Sequence, residues 1–132
     1  MQRHLDWLRQ AENDLEWAEH SLAGGFYSQV CFIGQQSAEK ALKAYCLFKG
    51  FDTVRTHSLY RIIKELKENG QMETCARELD IYYISARYPD ALPDGAPFEI
   101  LTQDQAQRAL HSARTIFHLV KHRMGLVIDD NP

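Results

Sequence analysis

Apolar residues recur every three or four positions along most of the chain, the period of an amphipathic helix. Leu5, Leu8, Ala11, Leu15, Ala18 and Leu22 predict a first helix from about His4 to Ala23, stopped by Gly24-Gly25. Trp7 and Trp17 flank this stripe and read as packing groups. A second helix runs from about Phe26 to Phe48 and ends at Gly50. Val30, Ile33, Ser37, Ala41, Tyr45 and Phe48 share one side of it, with Gly34 and Ala38 at the edge. Gln35, Gln36, Glu39, Lys40 and Lys43 gather on the other side and read as a solvated face. The buried side is small in its middle, where Gly34, Ser37, Ala38 and Ala41 lie. A glycine inside a helix costs about 0.8–1 kcal/mol relative to Ala. Another helix, or a ligand, is therefore expected to come close there.

Leu59, Ile62, Ile63 and Leu66 predict a third helix from about Ser58 to Asn69. Met72, Cys75, Ala76, Leu79 and Tyr82-Tyr83 predict a fourth, ending near Ala86. The segment Arg87–Leu101 holds three of the four prolines, so no regular helix is expected in it. Tyr88, Phe98, Ile100 and Leu101 offer it apolar anchors on a bundle. Thr102 and Gln105 fit a capping box at the start of a last helix that runs to about Met124. Its core stripe is Ala106, Ala109, Leu110, Ala113, Phe117, Val120 and Met124. No strand pattern emerges. The expected fold is all-α: an antiparallel up-and-down four-helix bundle with one extra short helix and a Pro-rich ordered loop before the last helix. Residues 1–125 read as one domain and 126–132 as a frayed tail.

Composition narrows the function. A formal charge of −3 argues against coating nucleic acid through charge alone, though not against a local basic site. Cys31, Cys46 and Cys75 form no CxxC pair, so neither a disulfide framework nor a thiolate metal site is indicated, and a reducing, cytoplasmic setting is expected. The polar start MQRHLDWLRQAENDLE does not read as a signal peptide, and no run is long and apolar enough to span a membrane.

Three spots carry candidate chemistry. His111, Arg114, His118 and His122 form an outward stripe on the last helix; without a carboxylate beside the His118–His122 pair, a solvated face or a partner surface is the expectation. Arg114 and His118 also raise the possibility of RNA cleavage, with His moving a proton and Arg holding phosphate. His57 stands in Thr56-His57-Ser58-Leu59 at the mouth of a short helix, where unpaired N–H groups favour anions; the alternative is a capping turn in which His57 is incidental. Arg87-Tyr88-Pro89-Asp90 marks a helix end, since Pro89 disfavours helical geometry at Tyr88. Arg87 suits phosphate, Tyr88 suits stacking, and Asp90 suits a ribose or Arg87 itself; the alternative is a loop clip, in which Arg87 or Asp90 satisfies backbone groups with Tyr88 buried, or Arg87 pairs with Asp90 or Glu39.

Four stretches resemble the HEPN domain: DWLRQAENDLEWAEHSL at Asp6–Leu22, FYSQVCFIGQQSAEKALKAYCLFKG at Phe26–Gly50, THSL at Thr56–Leu59 and YYISARYPDA at Tyr82–Ala91. The resemblance spans Leu5 to Met124. It implies a helical bundle that commonly forms homodimers, often beside a minimal nucleotidyltransferase partner in a toxin–antitoxin pair. Many HEPN proteins are metal-independent RNases with an Arg, four to six residues, then a His. Here the Arg114–His118 spacing is too short, and neither Arg77 nor Arg87 has a His at that distance. The HSL and RYPD motifs resemble the nucleotide-binding branch instead. The resemblance therefore implies a nucleotide- or RNA-binding module with no catalytic residue, metal or cofactor of its own. His57, Arg87, Tyr88 and Asp90, with Gln36, Glu39 and Lys40, are its expected ligand site. The rival expectations are an RNase toxin of the same fold and a structural adaptor without a ligand.

Overall fold

The computed structural model describes residues 3–51 and 55–126. The described residues form an antiparallel helical bundle without strands, as the periodicity predicts. Helices α1 (Arg3–Ala23), α2 (Tyr27–Phe48), α4 (Gln71–Asp80) and α7 (Gln103–Arg123) make the bundle. Helix α3 (Leu59–Glu65) is the extra short element, and α5 (Tyr82–Ser85) and α6 (Pro97–Ile100) are single turns. The tail expected at 126–132 lies outside the described residues except for Leu126, which is exposed.

Helix α2 is the centre of the fold. It packs on α1 and α7 along its length, and α3, α4, α5 and α6 close over what remains. The small seam does what its residue sizes predict. Ser37 is fully buried, and its Oγ donates to the Ala11 carbonyl of α1 at 2.8 Å. Gly34 faces α7: a Cβ built on it would meet the Ala109 carbonyl oxygen at 3.4 Å and the Ala113 Cβ at 3.6 Å. The same enclosure corrects the reading of the polar side of α2. Gln35 is 0% exposed and Glu39 5%. One apolar stripe predicts one covered face, but this helix is covered from several directions.

The element ends are local chemistry. Gly25 stops α1 with φ +83, a conformation that side chains disfavour. Thr102 Oγ1 accepts from the Gln105 N–H at 3.2 Å and Gln105 Oε1 accepts from the Thr102 N–H at 2.9 Å, which completes the expected capping box. Helix α3 ends four residues earlier than its pattern predicts. Lys67 adopts φ +58, so Glu68 N–H reaches the Ile63 carbonyl and Lys67 N–H the Lys64 carbonyl, both at 3.1 Å. This is a Schellman cap built without glycine, which is why it is silent in the sequence.

The Pro-rich segment is ordered but anchored differently from the expectation. It contains a 3-10 turn, Pro89–Ala91, and the single-turn α6, which Pro97 starts at a position needing no N–H. Pro97 and Leu101 are buried, whereas Tyr88, Phe98 and Ile100 are exposed. Trp17 is exposed as well, at 60%, and is not the packing group its place beside the stripe predicts.

Candidate functional site

The polar residues of α2 lead outward through one connected network. Gln36 Nε2 donates to Gln35 Oε1 at 2.7 Å. Gln35 Nε2 in turn lies 3.3 Å from both Glu39 Oε1 and the His57 carbonyl. Lys43 Nζ donates to Glu39 Oε2 at 2.9 Å. The i,i+4 spacing of Gln35, Glu39 and Lys43 puts all three on one stripe. Burial then obliges Gln35 and Glu39 to find partners, since an unpaired buried amide or carboxylate is expensive.

His57 completes the network. Its Nδ1 lies 3.1 Å from each oxygen of the Glu39 carboxylate. A carboxylate only accepts, so Nδ1 carries the proton and donates. The ring stacks on Tyr83 of α5, centroids 4.7 Å apart and planes 16° apart. Its Nε2 forms no hydrogen bond among the described residues, and the side chain is 57% exposed. The imidazole is thus oriented from behind and open in front.

Arg87 approaches the same Tyr83 ring, its Cζ 4.8 Å from the centroid. It also lies 4.5 Å from the Phe32 ring and 4.8 Å from the Tyr88 ring. Its Nε donates to the Tyr83 carbonyl at 3.0 Å. Among the described residues Arg87 forms no ion pair. The backbone clip weighed for Arg87 is made, through the Tyr83 carbonyl, but Tyr88 is exposed where that reading expects it buried, and no ion pair to Asp90 or Glu39 forms. A guanidinium held by rings and one carbonyl keeps its terminal N–H groups and its charge for another anion.

The remaining expected site residues sort into neighbours and strangers. Tyr88 is exposed beside Arg87, where a planar group could lie against it. Gln36 touches the network through Gln35. Lys40 turns away, with Nζ 2.5 Å from Asp14 Oδ2 on α1, and Gln10 holds the other Asp14 oxygen. Asp90 is exposed on the 3-10 turn and forms no side-chain hydrogen bond among the described residues. Tyr83, Phe32, Lys43 and Gln35 belong to the site and were not among the expected residues. The four-residue spacings Gln35–Glu39 and Tyr83–Arg87 were the available signal.

The start of α3 is not an open anion site, which corrects the expectation for His57. Asp80, at the end of α4, accepts from the N–H groups of Leu59 at 2.7 Å and Tyr60 at 3.0 Å. Ser58 Oγ accepts from the Arg61 N–H at 3.2 Å. The helix end is already filled by the protein's own carboxylate. His57 owes its position to Glu39 and Tyr83 instead.

The stripe His111, Arg114, His118 and His122 is exposed on α7 as expected, with Arg114 Nη2 2.9 Å from Glu19 of α1. Among the described residues no group of three or more His, Cys, Asp or Glu is arranged to hold a metal ion. All three thiols are buried; burial pushes Cys31 up to about 12, with the charge of Glu78 adding to it, and Cys46 up to about 11. No described helix is long and apolar enough to cross a membrane.

Comparison with known proteins adds ancestry to this geometry. The sequence profile of the HEPN domain matches residues 4–123. The crystal structure of TT1696 from Thermus thermophilus superposes with a TM-score of 0.88 at 38% identity, covering 93% of this chain and 99% of that one. That of an archaeal HEPN homologue gives 0.83 at 38% identity, over 94% and 99%. An HEPN domain protein from Thermotoga maritima gives 0.73 at 30% identity, over 92% and 99%. A curated relative, "Putative toxin MJ1304" of Methanocaldococcus jannaschii, is 24% identical over 128 residues, 87% of this chain and 84% of its own length.

Proposed function

Because this chain belongs to the HEPN domain family, we propose that it binds a phosphate-bearing ligand, a nucleotide or RNA, at the His57–Arg87 cluster. The observation that carries this reading is Arg87: a guanidinium framed by three rings, without an ion pair among the described residues, on the same tyrosine as a carboxylate-oriented histidine. Terminal N–H groups of such an arginine match phosphate oxygens, and Tyr88 supplies a face for a base. A toxin-like role draws support from the name of the curated relative; a homodimer working with a minimal nucleotidyltransferase, in a toxin–antitoxin-like arrangement, belongs to the same reading.

A second reading has its own support. His57 has Nδ1 engaged by Glu39 and Nε2 open, the arrangement of a general acid or base, and a cation stands on the next ring. With His57 moving the proton of a ribose hydroxyl and Arg87 facing the phosphate charge, the cluster would cleave RNA without a metal. This pair, far apart in the chain, is not the closely spaced Arg and His of the family's RNases, which is why it stands second.

One experiment separates these readings from an adaptor without a ligand. Labelled mononucleotide and labelled RNA are titrated against the wild type, Arg87→Lys and His57→Gln, and the RNA is also incubated in chelator and run on a gel. Binding that falls about tenfold or more in Arg87→Lys, with intact RNA, supports the binding module. Cleavage lost in His57→Gln supports the nuclease. Unchanged affinity in both folded variants, with no cleavage, rejects both.

A further inference from the structure

A cleft of about 410 Å³ lies between α4 and α7, within the range of about 300–1,000 Å³ typical of small-ligand sites. Helix α4 lines it with Thr74 and Glu78, one turn apart, and α7 with a polar stripe from Asp104 to Ser112. None of the His57–Arg87 cluster lines it. Glu78 is its unusual member. Its Oε1 is buried and has no hydrogen-bond partner, alone in this among the buried side-chain nitrogens and oxygens of the described residues. The buried groups that its charge reaches are Cys31, Cys75 and Tyr82, and none is a cation. Burial first, with Glu78 adding to it, pushes all three up, so they keep their protons and offset nothing.

The cations around the cleft are engaged elsewhere. Arg108 Nε lies 3.4 Å from Asp104 Oδ2, and both side chains are exposed. Arg77, the next cation on α4, pairs with Glu73 at 3.5 Å. His111 is exposed and forms no ion pair among the described residues. With His111 neutral, the cleft carries two carboxylates and one guanidinium, and the charge left over is that of Glu78. An unpartnered buried carboxylate oxygen costs free energy that a donor recovers, and the torsion that turns a carboxylate is soft. Neutral acceptors stand nearby. Thr74 Oγ1 donates its proton to the Gly70 carbonyl at 3.2 Å and keeps its lone pairs, and Gln107 adds an amide oxygen. A guanidinium seeks two parallel oxygens, but Glu78 turns one of its pair inward. An ammonium carries three donors about a single point and suits acceptors that arrive from two helices.

We propose that the α4–α7 cleft binds a primary ammonium group, its charge met by Glu78 and its remaining N–H groups by Thr74 and Gln107. The site is separate from the His57–Arg87 cluster and stands or falls without it. Calorimetric titration of the full chain tests it with 1,4-diaminobutane, a free amine, and with Nα-acetyl-lysine amide, which presents the side chain of a partner's lysine. Tetramethylammonium, which has the charge but no N–H, is the control. Glu78→Gln keeps the shape, removes the charge and should weaken both amines about 10- to 100-fold. Arg108→Gln removes a like charge and should tighten them about two- to fivefold. Asp104→Asn releases Arg108 to compete for Glu78 and should weaken them. Arg108 and Asp104 are exposed enough for their variants to fold, which melting curves verify.

The tighter of the two amines identifies the ammonium as free or protein-borne, and either supports the site. Wild type that binds neither amine overturns it, even where Arg108→Gln gains binding, since Arg108 itself would then fill the cleft. Unchanged affinity in folded Glu78→Gln overturns it as well, and so does tetramethylammonium bound as tightly as the amines. Should Glu78→Gln fail to fold, Arg108→Gln decides: tighter binding supports the site, and unchanged or weaker binding overturns it.

Discussion

The Glu39 carboxylate holds His57 Nδ1 with both of its oxygens at 3.1 Å, and Lys43 shares one of them at 2.9 Å. Glu39 is buried while its two partners reach solvent, so the carboxylate is the fixed member. Glu39→Gln removes the charge both partners use. The expected loss is about 1–3 kcal/mol, below the buried-pair range because the partners can rehydrate. Urea denaturation measures it. A change within about 0.5 kcal/mol would place Glu39 among ordinary surface residues.

At Gly34 the contact distances set the sign. A Cβ would sit at ordinary van der Waals distance from Ala109 and Ala113, and alanine is the better helix former. Gly34→Ala is expected to leave stability unchanged or raise it by up to about 1 kcal/mol. Gly34→Leu and Ala41→Leu overpack and are expected to lose about 1–3 kcal/mol each. Thermal melts of the three variants check the order; an alanine variant that loses more than the leucine ones contradicts the packing.

Lys67 holds a left-handed conformation that glycine adopts more easily. Lys67→Gly is expected to stabilise the chain by about 0.5–1 kcal/mol. Equilibrium unfolding tests this directly, since Lys67 is exposed and a lost contact cannot mask the backbone effect.

Glu68 governs an acid limb. It accepts from the Tyr45 hydroxyl at 2.9 Å and from Arg123 Nε at 3.1 Å, tying the turn after α3 to α2 and α7. Burial alone would raise its carboxyl, but the hydrogen bonds from Arg123 and Tyr45 and the charge of Arg123 outweigh burial and lower it below 4.5. The unfolded chain therefore binds the proton more readily. The stabilisation is complete above 4.5 and is lost as pH falls through the lower folded value. Wild type should lose about 1 kcal/mol more than Glu68→Gln between pH 6 and pH 3, a modest figure because Arg123 is 40% exposed. Parallel acid limbs would remove Glu68 from the account.

The sequence by itself determined the helices and most of their ends, because those depend on neighbours within about four residues. The stripe from Leu5 to Leu22, the Gly24-Gly25 stop and the Thr102–Gln105 box state their geometry locally. His57, Glu39, Arg87 and Tyr88 were also legible as unusual residues at helix ends or on a polar face. Their arrangement was decided only by the tertiary structure. Gln35 and Glu39 read as solvated until α3 and α5 close over α2. Asp80 gave no sign that it would cap α3 from across a turn. Lys40 and Lys43 look alike in sequence, yet one pairs with α1 and the other supports His57 through Glu39. Periodicity fixes which way a side chain leaves its own helix. It carries nothing about what arrives from the rest of the chain to meet it, and at Tyr83 that meeting, between His57 and Arg87, is the candidate site.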